Sequence, residues 1–346
     1  MRSMHRSLRL AFVALFVFTA VAFGYTAKAQ ANFFGQTCEI HNLPVHLVEG
    51  DPTVYNLVGK LCWRGHLHGK PLQLMVHGAT LNKEYWDFPY GGSRYSYVDF
   101  ANLLGFATFA YDRIGSGESD RAPGILLNVG NAAYVNHQVV QALRGGTLGA
   151  RFEKIIQLGH SFGSLISVAG ASTYVDDIDG LVLTGFTHQA TTQAVEGTQA
   201  HVYPAFLDPK FANAGLDETY FTTRPGSRTL LFFNPDNTDP QVLTVDEAEK
   251  DIMTLGLILD IPRHLSHESL AVQVPVLMIT GSDDFFYCGE NVDCHNNASY
   301  RAYESGFFNT DLETKIIPNV GHSLFLHKNS LLVYAIVHDW IFRKTF

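Results

Sequence analysis

The sequence predicts an α/β protein, with a mostly parallel β-sheet covered by helices on both faces and one long excursion from that pattern. Three observations predict it. From residue 72 onward, short apolar runs alternate with helical stretches, the pattern of strands joined by crossover helices. Between about His188 and Val272 that rhythm stops, and the stretch carries Pro204, Pro209, Pro225, Pro235 and Pro240 among scattered aromatics. Hydrophobic residues make up 46% of the 346 and charged residues only 16%, which excludes a largely disordered chain and allows a sizeable core.

Each element follows in order. Two β-rich segments, His41–Glu49 and Thr53–Trp63, precede the buried strand Leu72–Val76 (LQLMV). A helix is expected at Ser96–Leu104, a strand at Ala107–Tyr111 and a helix near Ala132–Leu143. Lys154–Leu158 leads directly into another helix, followed by the strand Gly180–Thr184. After the excursion, which holds an acidic helix around Thr244–Gly256, come the strand Val274–Ile279 and a helix near Ala298–Phe307. Strand Thr314–Ile317 and a C-terminal helix Ser330–Arg343 complete the chain. The expected organisation is a leader at 1–29, a core at 30–187 and 273–346, and an insertion at 188–272. An excursion this long should fold over the sheet's carboxyl edge, where α/β proteins place ligands.

The leader is expected from Arg2, Arg6 and Arg9 ahead of the apolar run Leu10–Gly24, with Ala27-Lys28-Ala29 supplying small residues for a signal peptidase. An uncleaved anchor is the alternative, but about 15 apolar residues fall short of a ~30 Å hydrocarbon core. Cleavage near Ala29 implies secretion without a stable membrane anchor. Formal net charge is −9, and losing the leader leaves 20 basic against 33 acidic groups, or −13. Such a surface repels phosphodiester backbones and anionic lipids, excluding nucleic-acid binding by bulk electrostatics. The four cysteines, Cys38, Cys62, Cys288 and Cys294, suit two disulfides in an oxidising compartment. Of three connectivities the simplest joins sequence neighbours; four free thiols are the alternative. Asn297-Ala298-Ser299 is a glycosylation acceptor pattern.

The strongest catalytic signal is Gly159-His160-Ser161-Phe162-Gly163, set between a strand ending at Leu158 and a small-residue helix. That context forces a sharp turn that lifts the Ser161 hydroxyl above the sheet. It also aims the Phe162 amide and the helix's positive end at charge developing nearby. Ser161 as an ordinary helix cap is the bland alternative. A serine nucleophile needs a base, and the base an orienting acid. Among 16 histidines, His322 is singled out by its place after a strand and before the final helix. His160 neighbours the serine but is expected to point the wrong way. The acid is expected at another strand end, where Thr280-Gly281-Ser282-Asp283-Asp284 offers two carboxylates. Adjacent side chains point to opposite sides of an extended strand end, so at most one of the two should reach His322.

Serine, acid and histidine in that order, each past a strand's carboxyl end, resemble the α/β-hydrolase superfamily. The resemblance spans nearly the whole mature chain apart from the insertion, and implies an α/β-hydrolase fold with a cap or lid. His77-Gly78-Ala79 is similar to the family's oxyanion loop, which makes the Ala79 amide the second donor. Tyr111-Asp112-Arg113-Ile114-Gly115-Ser116-Gly117-Glu118-Ser119 resembles its D-x-x-G-x-G-x-S segment, a structural turn. The family pattern G-x-x-D, counted from Gly281, implies Asp284 as the acid. The loop departs from the His-Gly-Gly-Gly of many carboxylesterases. Serine, not aspartate, as nucleophile disfavours epoxide hydrolase and haloalkane dehalogenase chemistry.

The resemblance implies acyl transfer to water by Ser161, His322 and Asp284, with no cofactor or metal. An aromatic-rich cap and no basic anion clamp suit a neutral, fairly apolar small-molecule ester, lactone or thioester. Family members doing lyase or cyclisation chemistry in natural-product tailoring, and non-catalytic binders, are the alternatives. Tyr85 and Trp86, shortly after the oxyanion loop, are expected to line the pocket. Insertion aromatics (Tyr203, Phe206, Phe211, Tyr220, Phe221, Phe232, Phe233) should be mainly lid core, with two or three facing substrate. His264, His267 and Glu268 lack a completing metal ligand, and Pro262 suggests a loop there. Cys62 with His66 and His68 offers no zinc site if Cys62 is oxidised. The sequence leaves oligomeric state open.

Overall fold

Eight strands form the central sheet of the computed structural model, which describes residues 35–345 apart from 190 and 290. The expected leader, 1–29, lies outside the described residues. The chain runs β1 (Gln36–Val45), β2 (Tyr55–Arg64), β3 (Leu72–Val76), α1 (Tyr97–Leu103), β4 (Ala107–Tyr111), α2 (Val129–Gly145), β5 (Ile155–His160), α3 (Phe162–Thr173) and β6 (Gly180–Thr184). It continues through α4 (Thr192–His201), β7 (Val202–Pro204), β8 (Tyr220–Thr223), α5 (Arg228–Phe232), α6 (Pro240–Glu249), β9 (Met253–Thr254) and α7 (Leu255–His264). The last elements are β10 (Val276–Gly281), α8 (Asn297–Glu304), β11 (Leu312–Ile317) and α9 (Ser330–Lys344).

Strand order is β1-β2-β4-β3-β5-β6-β10-β11. Only the β1–β2 and β2–β4 pairings are antiparallel; the remaining five are parallel. Strands β3, β4, β5 and β6 are buried at every position, as parallel strands covered on both faces must be. Their side chains alternate between two cores. Leu72, Leu74 and Val76 face the core under α2, α3 and α8, while Met75 joins the core under α1 and α9. Helix ends follow local chemistry. Ser96 caps α1 by accepting from the Asp99 amide, Asn128 caps α2 from the Asn131 amide, and Gly146 ends α2 at φ 85°.

The segment between β6 and β10 builds a separate three-stranded sheet, β7-β8-β9, with helices α4–α7 around it. Where the chain leaves the main sheet, buried Glu304 on α8 accepts from the His188 amide (3.0 Å) and pairs with its Nδ1 (2.6 Å). The expected helix at Thr244–Gly256 divides here. Asp239 caps α6 ahead of Pro240 at its first turn, and Lys250 leaves helical geometry, so Met253–Thr254 becomes a strand. Pro262 lies inside α7 and not in a loop. Its missing N–H removes one intrahelical bond, to Ile258 O, and only Arg263 and His264 follow it in the helix.

The cysteines form the neighbour pairs Cys38–Cys62 and Cys288–Cys294. The first joins residues directly opposite each other in the β1–β2 register. Asn297 is exposed at the start of α8. No helix among the described residues is long and apolar enough to cross a membrane.

Candidate active site

Ser161 sits between β5 and α3 at φ 55°, ψ −119°, a left-handed conformation that costs a non-glycine residue free energy. The turn is held from both sides. Its amide donates to Thr184 O (2.9 Å), and its carbonyl accepts from the Ser164 and Leu165 amides. The motif's glycines are there for closeness: a Cβ on Gly163 would lie 2.0 Å from Val76 O, and one on Gly159 would lie 2.5 Å from Ser164 Cα. Any side chain at either position would push α3 off the sheet.

His322 and Asp284 come together from the loops after β11 and β10. His322 Nδ1 lies 2.9 Å from Asp284 Oδ2, and both groups are buried. Asp284 Oδ1 accepts from the Phe286 amide at 2.9 Å. Asp283 faces the other way, accepting from Asn234 Nδ2 and Ser282 Oγ. With Nδ1 committed to Asp284, Nε2 is the His322 nitrogen left to take a proton.

The loop carrying His322 is built by a residue that the sequence did not flag. His327 Nε2 accepts from the Gly321 amide (3.0 Å) and the Asn234 amide (3.1 Å), so Nδ1 holds the proton and donates to Ser323 O (2.9 Å). Burial pulls its pKa down to about 4, which keeps both acceptor bonds intact near neutrality. His160 is fully buried, stacks on Tyr85 at 4.5 Å between ring centres, and lies 4.9 Å from the His322 ring. Burial, reinforced by His322 nearby, holds it neutral.

Above Ser161 lies a cavity of about 360 Å³. Ala79, Thr80, Ser161 and Phe162 form its floor. Neither the Ala79 nor the Phe162 amide donates to another group among the described residues. Its walls come from α4 (Ala194, Val195, Thr198, Gln199), α5 (Leu231, Phe232) and α7 (Ile258, Ile261, Pro262), closed by Leu265, Phe286 and Tyr287. No charged residue lines it. The Tyr287 phenol interacts with the Ser161 side chain, and burial together with the Asp284 charge raises its pKa.

Tyr85 and Trp86 do not line this cavity. Both are buried below it, where Trp86 packs edge-on to Phe325 (5.0 Å) and Tyr85 covers His160. The 3-10 turn that follows Asn82 directs them into the α1–α9 core. The aromatic wall is supplied instead by Phe162, Phe232, Phe286 and Tyr287. Of the insertion aromatics considered above only Phe232 reaches the cavity; Phe211, Tyr220 and Phe233 are buried elsewhere. His264 bridges Asp260 (3.0 Å) and Glu268 (2.8 Å), which occupy both its ring nitrogens.

Asp112 of the D-x-x-G-x-G-x-S turn accepts from the Lys83 amide and Nζ and from the Glu118 amide. Ser119 Oγ closes the turn on Asp112 O at 2.6 Å. From the other side, buried Arg228 on α5 pairs with Asp246 on α6 and donates to Thr80 O (3.1 Å) and Oγ1 (3.0 Å). The floor of the cavity is therefore bonded to both the main sheet and the segment above it.

Residues 73–333 match the alpha/beta hydrolase family, and the chain belongs to it. Its fold is shared with a thermophilic esterase from Thermogutta terrifontis (TM-score 0.61, 16% identity, 88% of this chain and 100% of that one). It is also similar to the monoacylglycerol lipase of Paleococcus ferrophilus (TM-score 0.55, 17% identity, 83% and 98%). A lipase-like protein of Acinetobacter baumannii aligns comparably (TM-score 0.56, 18% identity, 88% and 91%). No curated protein matches the chain at the sequence level.

Proposed function

We propose that the chain is a secreted serine hydrolase that cleaves an ester, lactone or thioester of a neutral, fairly apolar small molecule. The observation that carries this reading is the strained Ser161 at the floor of an uncharged cavity, beside two undonated amides and the buried His322–Asp284 pair. His322 Nε2 takes the Ser161 proton as Oγ attacks the carbonyl carbon, and Asp284 stabilises the imidazolium that forms. The Ala79 and Phe162 amides hold the oxyanion. The protonated His322 then delivers its proton to the departing alcohol or thiol. Water repeats the sequence, with His322 as base, to release the acid and restore Ser161. The esterases and lipases of the same fold support this chemistry, and the two disulfides suit an oxidising compartment. Glycosylation at Asn297 belongs to the same proposal.

Ser161→Ala should lower kcat for 4-nitrophenyl esters by about 10⁴- to 10⁶-fold, as triad knockouts do. An organophosphonate should label Ser161 alone. A Ser161→Ala protein that keeps most of its esterase activity overturns the reading.

A further inference from the structure

The Gly78–Ala79 peptide carries the Ala79 N–H at one end and the Gly78 carbonyl at the other, and the carbonyl is held by an unusual pair of donors. Arg113 Nη2 lies 3.1 Å from Gly78 O, and His77 Nδ1 lies 2.9 Å from it. The His77 tautomer is fixed, because its Nε2 accepts from the Arg113 backbone amide at 3.1 Å. Nδ1 therefore carries the proton and donates. Burial, with Arg113 beside it, keeps this imidazole neutral.

Arg113 is itself expensive. It is 4% exposed, its Nε has no hydrogen-bond partner, and among the described residues no carboxylate forms an ion pair with it. Asp251 and Asp112 act on it only by longer-range attraction, and burial lowers its pKa to about 10. A buried cation without a paired anion destabilises a fold, so its retention calls for a compensating role. Nothing in the turn's own bonding uses the guanidinium: Asp112 and Ser119 close that turn.

We propose that Arg113, together with His77, is a positioning residue that aims and polarises the Ala79 amide as an oxyanion donor. A trans peptide is planar, and its N–H points opposite to its C=O. Anchoring Gly78 O from below therefore directs the Ala79 N–H away from Arg113, toward the cavity. Two donors on the carbonyl, one of them charged, draw electron density onto oxygen and leave the N–H more positive. The uncompensated charge also favours a negative centre forming on the far side of the peptide. The next residue is fixed too, since Thr80 O accepts from Arg228 and from the Asp251 amide. The donor is thus rigid before substrate arrives.

The inference rests on Ser161 being the nucleophile and concerns the oxyanion alone. The test compares Arg113→Met and Arg113→Lys with the native chain, using kcat and KM for 4-nitrophenyl butyrate and Ki for phenylboronic acid, which forms a tetrahedral anion on a reactive serine. Losing an oxyanion donor outright costs about 10²- to 10³-fold. Losing its positioning residue should cost less: roughly 10- to 100-fold in kcat for Arg113→Met, with KM nearly unchanged and Ki raised by the same factor. Arg113→Lys, which keeps a cation but not the planar fork, should recover part of the loss. A purely structural role would move melting temperature, or shift KM and Ki together, and leave the ratio of Ki to KM alone. That ratio unchanged in both variants overturns the inference. Should Arg113→Met not fold, Arg113→Lys decides by the same ratio. An active Ser161→Ala protein would instead sink the underlying reading, so the two failures remain distinct.

Discussion

Two adjacent aromatic pairs follow the two loops that converge on Ser161, and they end on opposite sides of it. Tyr85-Trp86 comes after the His77-Gly78-Ala79 loop and is buried in the α1–α9 core, with Tyr85 stacked on His160. Phe286-Tyr287 comes after Asp284 and remains half-buried on the cavity wall, with Phe286 edge-on to His322 at 4.8 Å. Composition does not separate the pairs; anchoring does. The first is tied into the sheet side through Lys83, whose amide and Nζ both bond Asp112. The second rides on a short turn between the Asp284 carboxylate, which binds the Phe286 amide, and the Cys288–Cys294 disulfide. An aromatic near a reactive group is thus a supporting residue or a wall residue according to which way its backbone is tethered.

The largest effect expected on the second turn concerns its acid. Asp284→Asn should keep the fold and leave the imidazole in the wrong tautomer, lowering kcat by about 10⁴-fold. Asp283→Asn, which loses only bonds to Asn234 and Ser282, should cost far less. The reverse ranking would keep a triad but reassign its acid.

The aromatic pairs themselves should separate stability from activity. Trp86→Ala removes a fully buried ring and should destabilise the protein by about 3–5 kcal/mol in urea unfolding. Phe286→Ala should raise KM for apolar esters by roughly 10-fold with a smaller stability loss. A Trp86→Ala protein of normal stability and altered ester preference would place Trp86 on the wall and break the distinction.

The smallest effect is a pH signature shared by both sides. His160, stacked on Tyr85, is held neutral by burial, as are His327 behind the His322 loop and His338, whose pKa values are lowered to about 4. Between about pH 6.5 and 4 the unfolded chain binds protons at His327 and His338 and the native chain does not, and His160 acts in the same direction. Stability should therefore fall as pH drops through that window, and the contribution of His327 and His338 should level off below it. Melting temperature measured from pH 7 to 4 checks this, and His338→Gln should make the slope shallower. A melting temperature that rises on acidification would contradict the neutral assignment.

Several features were legible because they rest on local chemistry. The apolar runs give β3, β4 and β6 at the residues expected. Gly-x-Ser-x-Gly between strand and helix gives the strained turn, because only glycine tolerates the approach of Val76 O and Ser164 on either side of Ser161. The cysteine spacing suggested the two neighbour pairs that the structure contains.

Other features depend on contacts between residues far apart in the chain, which no local pattern encodes. Tyr85 and Phe286 are both aromatic as sequence; only the packing of α9 and of the segment after β6 decides which one meets a cavity. Arg113 looks like one more residue of a turn motif until the fold sets Gly78 O within 3.1 Å of it. His327 is one of 16 histidines until Gly321 and Asn234 both turn their amides toward it. The sequence by itself determined the order of strands and helices outside the segment between β6 and β10, the turn at Ser161 and the residue types able to act there. Tertiary structure alone decided which of those side chains meet, because hydrogen bonds and burial are set by distance in space, and the chain must close loops of tens to hundreds of residues to set that distance.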